Sequence, residues 1–452
     1  ITMCNKTAFP IPYIPVSSGA EEKAAELKNK IAGYPDSFKG NRRIYYVSES
    51  GRLGNNGFSP EKPLMFSELC RTHLRSGDTV LFERNSVFRV GEPLYLCGGV
   101  NYGAYGSGEK PTLLGSLRNY AAEELWSVSP ENENIWILSL NAPAAGVVMF
   151  DNDSYMGIRR YGTAKLNENG DYYHDATNGI FYLYSAEGNP GKRFSDIEIG
   201  TTEELVFAQN VNDIGFENIR LKYASVFGMN CGGNRGMRIA GCDISYIGGH
   251  TFKNEIRYGN GIQFWLRGED ISVSNCRISQ IYDAALTFQG CGAENAYFDN
   301  IRFEHNLIEY CSMNFEYWAG SGSGRDCRIS NIAFSGNTVR LGGCGWGGLQ
   351  RPDKGNQALV LGWNRHYESF ENFVISGNIF DCAEGNLIFA LSPTGQSGLS
   401  VFGNSYYQRK SAGINPFTEI LRKSGIAASD RDGLLRAVLL FDSAPNNVVW
   451  VE

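Results

Sequence analysis

IRFEHNLI (301–308), IAFSGNTV (332–339), FVISGNIF (373–380) and LSVFGNSY (399–406) are four spellings of one eight-residue unit. Each follows apolar-x-apolar-x-x-Z-x-apolar, with Asn306, Asn337, Asn378 and Asn404 at Z. Three upstream stretches, IGFENIRL (214–221), MRIAGCDI (237–244) and ISVSNCRI (271–278), share the pattern with Ile219, Cys242 and Cys276 at Z. Successive Z positions lie 23, 34, 30, 31, 41 and 26 residues apart. Self-similarity at a period of 20–50 residues is the mark of a solenoid. The two-residue alternation makes the unit a strand rather than a helix. Four consecutive Asn at Z predict a ladder in which stacked amides hydrogen-bond from coil to coil.

A second strand follows in each coil. NGIQFW (260–265), AALTFQG (284–290) and MNFEYW (313–318) alternate apolar pairs (Ile262/Phe264, Leu286/Phe288, Phe315/Tyr317) with other residues. Because strand side chains alternate faces, Gln263, Thr287 and Glu316 share the outer face, followed there by Trp265, Gln289 and Trp318. The excess length between coils falls at 248–259 and 342–356, just before second strands. Solenoids place such insertions on one face, often the binding face, so both loops should overhang this outer column.

The whole composition fits. The chain has 452 residues with 54 Gly, 26 Phe and 24 Tyr, which suits a turn-rich β fold. A net charge of −7 argues against nucleic acid, whose phosphates need concentrated Lys and Arg. Eleven cysteines show neither CxxC nor Cys/His metal spacing, so no metal and no cofactor is expected. Cys242 and Cys276 share the Z column. Their spacing admits a disulfide, but two stacked core thiols are the simpler reading. No run approaches the ~20 apolar residues of a membrane-spanning helix. The first residues, ITMCNKTAFPIP, lack the charged start and apolar run of a signal peptide.

In chain order, residues 1–43 read as an arm with a short helix in AEEKAAELKNKIAG, Ala24, Leu27 and Ile31 on one face. The arm is a candidate docking segment for a partner subunit. IYYVSES, a Gly/Asn-rich loop, the short helix MFSELCRTHL and SGDTVLF then resemble the N-terminal start of right-handed parallel β-helix carbohydrate-active enzymes. Residues 44–117 would be the N-terminal cap, its helix covering the open end, and the first coils. Residues 118–198 break the rhythm and read as a β-rich insertion of antiparallel hairpins. Its Trp136, Tyr172 and His174 are either cleft contributors or, more simply, its own core. Residues 199–410 form the β-helix core with the cleft, and 411–452 a C-terminal cap: a helix in NPFTEILRKSG, then closing strands in RAVLLF and NVVWVE.

Seven repeats, the Asn ladder and the capped start together resemble the pectate-lyase-like right-handed parallel β-helix superfamily, over about residues 85–450. The expected fold is all-β, a right-handed parallel β-helix. RYGNGIQFW, QIYDAALTFQG and NFEYW resemble the bacterial glycoside hydrolases of this group, lacto-N-biosidase-type catalytic domains among them. The resemblance implies a secreted or cell-surface protein acting on oligo- or polysaccharides. The alternatives are a polysaccharide lyase acting on uronic-acid polymers and a non-catalytic glycan binder.

Glycoside hydrolysis needs two carboxyl groups flanking the scissile bond. Glu316, mid-strand between two aromatic residues whose bulk would desolvate it, is the expected general acid/base. Asp283, at the QIYD turn, is the expected nucleophile or water-activating base. Glu304, Glu309 and Asp270 are reserves. Asp283 falls beside Ser312, four residues before Glu316, and only a bent corner would bring the two carboxyls together. Gln263, Trp265, Gln289 and Trp318, with loop residues Trp346, Arg351, Arg365 and His366, are the expected substrate contacts. His305, beside a Z position, reads as structural.

Overall fold

The computed structural model describes residues 20–40, 42–252, 256–290, 296–319, 327–351, 357–362, 368–390, 398–409 and 430–451. The repeat closes into a parallel β-helix with three faces per coil, typified by strands Ala284–Gly290, Tyr297–Glu304 and Leu307–Glu309. Copies stack in register. Their first residues align as Ile214, Met237, Ile271, Ile301, Ile332, Phe373 and Leu399. Their eighth residues align as Leu221, Ile244, Ile278, Ile308, Val339, Phe380 and Tyr406. A one-residue slip would turn every apolar side chain outward, so burial fixes this register.

The turn between second and third faces explains Z. The residue just before it is Asn218, Gly241, Asn275, His305, Gly336, Gly377 or Gly403, always with φ between 51° and 68°. Asn, Gly and His are residues that tolerate this left-handed conformation, which gives His305 its structural role. The following Asn then turns inward. Nδ2 of Asn306, Asn337 and Asn378 donates to Oδ1 of the next rung's Asn at 3.0, 3.0 and 2.9 Å. Each also donates to a carbonyl of the preceding rung, and each Oδ1 accepts a backbone N–H as well. The ladder ends on buried Asp442, whose Oδ2 accepts Asn404 Nδ2 at 2.8 Å. Upstream it passes into Cys276 and Cys242, both free thiols, with Cys242 N–H 3.4 Å from Cys276 Sγ.

The ends are closed. At the N-terminal end a short helix, Phe66–Leu69, lays Phe66 against Phe82 and Phe88 of the first coil. At the other end the sequence reading needs correction. RAVLLF does not form a strand; its first residues belong to the helix Arg431–Val438. Asp430 caps that helix by accepting from Gly433 N–H at 2.7 Å. Leu434, Ala437 and Val438 then face the core at helical spacing, a periodicity hidden by the short apolar run. NVVWV (447–451) is the closing strand. NPFTEILRKSG lies outside the described residues.

The helix Ala20–Ala32 buries Ala20, Ala24, Leu27 and Ile31, the last three against Leu307 on the third face. Lys110 Nζ donates to its C-terminal Ile31 carbonyl at 2.8 Å. Residues 34–38 continue along the coil, where Glu217 accepts Ser37 N–H and Oγ–H. This part of the arm therefore packs on its own chain.

The insertion folds as a five-stranded and a three-stranded sheet around Trp126, Phe150, Tyr172 and Phe181. Tyr172 is fully buried there, and Trp136 Nε1 donates to Ser185 O. His174 accepts Ala145 N–H at Nδ1 and bonds Leu140 O through Nε2. All three serve the insertion, and none lines the cleft.

Candidate functional site

The outer column stands where alternation put it. Gln263 pairs with Thr287 and Thr287 with Glu316; Trp265 pairs with Gln289 and Gln289 with Trp318. Upstream, the same register adds Asn230 beside Gln263 and Phe207 beside Asn230. Phe207, Asn230, Gln263, Trp265, Gln289 and Glu316 of this column line a cavity of about 630 Å³, within the usual range for a small-ligand site, whereas Thr287 and Trp318 do not line it.

The floor is a continuous hydrogen-bonded chain. Trp318 Nε1 donates to Gln289 Oε1 at 2.8 Å, and Gln289 Nε2 donates to Gln263 Oε1 at 3.2 Å. Asn260 Nδ2 donates to the same oxygen at 2.7 Å, and Asn260 Oδ1 accepts Ala284 N–H. Trp265 and Trp318 meet edge to face with centroids 6.3 Å apart. Trp265 lines the cavity and Trp318 braces it from behind through Gln289. Such a chain locks the amide orientations before a ligand arrives.

Both long insertions form walls. In the first, strands His250–Phe252 and Ile256–Tyr258 pair as a hairpin that sets His250 opposite Tyr258, and both residues line the cavity. The hairpin closes at its base because Gly248 and Gly259 touch; a Cβ on Gly248 would lie 2.5 Å from Gly259 Cα. In the second, the helix Gly345–Gln350 lies against the bend at Tyr282–Asp283. Gly347 permits that approach, since a Cβ there would come within 2.3 Å of Ile281 O. The helix delivers Arg351 to Asp283, with which it forms an ion pair, both side chains largely buried. From the other side the insertion braces the helix through Gln350, which donates to Gly157 O and accepts Arg159 N–H.

The structure thus brings together Asp283, Glu316, Gln263, Trp265, Gln289 and Arg351 around one cavity. Glu316 is 7% exposed, and its Oε2 accepts the Thr287 hydroxyl at 3.2 Å. Asp283 sits one rung earlier, at the bend that precedes the strand, and the register keeps it four positions before Thr287, the residue beside Glu316. Trp346 is a correction. It is fully buried, packed on Tyr282 at 5.7 Å, and anchors the helix rather than touching a ligand. The apolar insertion loop needed an anchor of its own, which a reading of exposed loops did not supply. Arg365 and His366 lie outside the described residues. The reserve carboxylates lie elsewhere: Glu309 pairs with Arg277 on the third face, Asp270 with Arg235 and Asn300 on the second, and Glu304 ends the second-face strand Tyr297–Glu304.

Sequence reasoning missed Glu203, Glu204, Phe207, Asn230, His250 and Tyr258, all of which line the cavity. Glu204 and Phe207 belong to the strand Glu204–Gln209 just ahead of the first repeat copy, with Glu203 immediately before it, and only register reveals the shared column. Burial raises the pKa of Glu204, with neighbouring Glu203 adding to the rise and a bond from Asn230 Nδ2 opposing it. Glu204 is four rungs from Glu316, ~19 Å along the axis, too far for the pair that glycoside hydrolysis requires.

His250 is pushed down to about 4, first by burial and then by Arg159 and His174, so it is neutral at pH 7. An unfolded His titrates near 6.5. The stability that this depressed value contributes is complete above that pH and is lost as pH falls toward 4. Thermal melts of the wild type and of His250→Gln should therefore diverge between pH 6.5 and 4, with the variant losing less. Parallel pH profiles would remove His250 as a source of acid lability.

No protein-family model and no curated protein matches this chain. Solved structures do. A structure of XylC with xylose is 12% identical at a TM-score of 0.47, covering 81% of this chain and 70% of its own. A GH136 lacto-N-biosidase from Eubacterium ramulus is 15% identical at 0.36, covering 96% and 69%. Pectate lyase Pel9A is 13% identical at 0.37, covering 83% and 78%.

Proposed function

We propose that this chain, a parallel β-helix of the pectate-lyase-like kind, is a glycoside hydrolase acting on oligo- or polysaccharides. The observation that carries the reading is a pair of largely buried carboxylates, Asp283 and Glu316, on adjacent rungs of one cavity floored by amides and tryptophan. Glu316 is the general acid/base. Thr287 orients it, and its burial suits a group that must hold a proton until the leaving oxygen takes it. Asp283 is the nucleophile or water-activating base, positioned by Arg351. Gln263 and Gln289 hydrogen-bond sugar hydroxyls, and Trp265 offers an aromatic face to a pyranose ring. A sugar-polymer substrate also suits an extracellular or cell-surface setting; no described helix is long and apolar enough to cross a membrane.

The lyase alternative has less support. Among the described lining residues Asp283 and Arg351 offset each other and His250 is neutral, which leaves Glu203 and Glu204 as the acidic groups with no cation of the lining against them. A polyuronate would meet this acidic lining with repulsion. A screen of aryl glycosides and neutral oligosaccharides, with NMR of the product anomer, tests the hydrolase reading. Ultraviolet absorbance of unsaturated products from uronic polymers, without hydrolysis of neutral substrates, would replace it with the lyase.

A further inference from the structure

The catalytic end of the cavity is not where the outer column stops. Phe207 lines the far end of the cavity, and one rung further its register partner is Tyr95. The two rings pack with centroids 5.4 Å apart and planes inclined at 58°. Tyr95 is 58% exposed, among the largest exposures of any aromatic described. Burial does not account for a tyrosine presented this way; Tyr95 stands outside the cavity lining but packs on Phe207, which belongs to it. Next to the pair stand polar groups suited to sugar hydroxyls. Gln209 Nε2 donates to Asn230 Oδ1 at 2.8 Å, and Asn230 Nδ2 donates to Glu204 Oε1 at 2.9 Å. An aromatic face edged by amides and a carboxyl matches a pyranose, apolar on its C–H face and polar around its rim.

The column from Tyr95 through Phe207, Asn230, Gln263 and Thr287 to Glu316 takes five rung steps, ~24 Å at the usual strand spacing. We infer that Tyr95 and Phe207 form a distal sugar subsite. The substrate class is accordingly a neutral oligosaccharide chain of about five residues lying along the coil axis, at about one residue per rung. Binding energy collected at the platform positions the reacting bond at Glu316, so a shortened substrate loses rate as well as affinity. The inference rests on the hydrolase reading for its catalytic end but concerns the opposite end, and the two fail separately.

The test uses the full chain and four probe series of two to six residues: xylo-, cello-, malto- and galacto-oligosaccharides. Binding is followed by saturation-transfer NMR on Glu316→Gln, and kcat/KM is measured on the wild type. For the series that binds, affinity and kcat/KM should climb up to about five residues. Tyr95→Ala should lower affinity about tenfold for the five-residue chain while the loss shrinks toward none for two residues, and Tyr95→Trp should restore it. Tyr95 is exposed, so unchanged melting of the variant is expected; Phe207→Leu repeats the test from the cavity side. A loss equal at every chain length, no loss at all, or no binding by any series overturns the subsite. Length-dependent binding without turnover supports the subsite and overturns the hydrolase.

Discussion

Glu316→Gln should lower glycoside hydrolysis by about 10²–10⁴-fold, the usual worth of a positioned acid/base group. The substitution keeps the shape and keeps an oxygen to accept the Thr287 hydroxyl, so melting should stay within a degree or two of wild type. Asp283→Asn should act similarly on the rate. It also neutralises the partner of largely buried Arg351, so a modest drop in stability should accompany it. Single-turnover rates of both variants, beside circular dichroism, decide the matter. Wild-type rates in both variants would sink the site assignment. A lost rate for Glu316→Gln alone would keep the acid and require another partner. A non-catalytic binder predicts no turnover in the wild type and undiminished glycan affinity in the Gln variant.

Asn378→Leu should damage the fold severely. Oδ1 of Asn378 accepts both the backbone N–H and the Nδ2–H of Asn337, and its own Nδ2 serves Phe334 O and Asn404 Oδ1. Asn378 is 1% exposed, so water cannot replace these partners. Two stranded donors and two under-served acceptors at ~1–3 kcal/mol for each stranded donor put the loss at about 2–6 kcal/mol. Stacked coils depend on their neighbours, so the loss should spread along the solenoid. Hydrogen exchange should accelerate first in the coils carrying Asn337 and Asn404, with the coils around Val80 and Tyr102 affected least. A loss below about 1 kcal/mol by denaturant melts would show that the ladder is dispensable.

The sequence exposed the ladder because a coil repeats its physics. Each copy must place apolar residues inward and a left-handed residue at the turn, so that pattern recurs seven times, and the last four copies add an amide after the turn. The outer column was legible for the same reason: once Ile262, Leu286 and Phe315 are inside, Gln263, Thr287 and Glu316 are outside. Alternation says nothing about what closes over a strand. Trp346 and Arg351 sit five residues apart on one loop, yet the first became a buried anchor and the second reached Asp283. Asp442, which ends the ladder, carries no repeat signal because it belongs to the cap.

By itself, then, the sequence determined the parallel coil, its register, the inward Asn column and the outward face with Glu316. Those follow from local rules, two-residue alternation and the backbone conformation at one turn, repeated along the chain. Only the tertiary structure decided that Asp283 meets Arg351 at a bent corner, that a hairpin brings His250 and Tyr258 over the floor, and that the column continues to Phe207 and Tyr95. These depend on contacts between residues tens to more than a hundred positions apart, set by how loops pack rather than by any period in the chain.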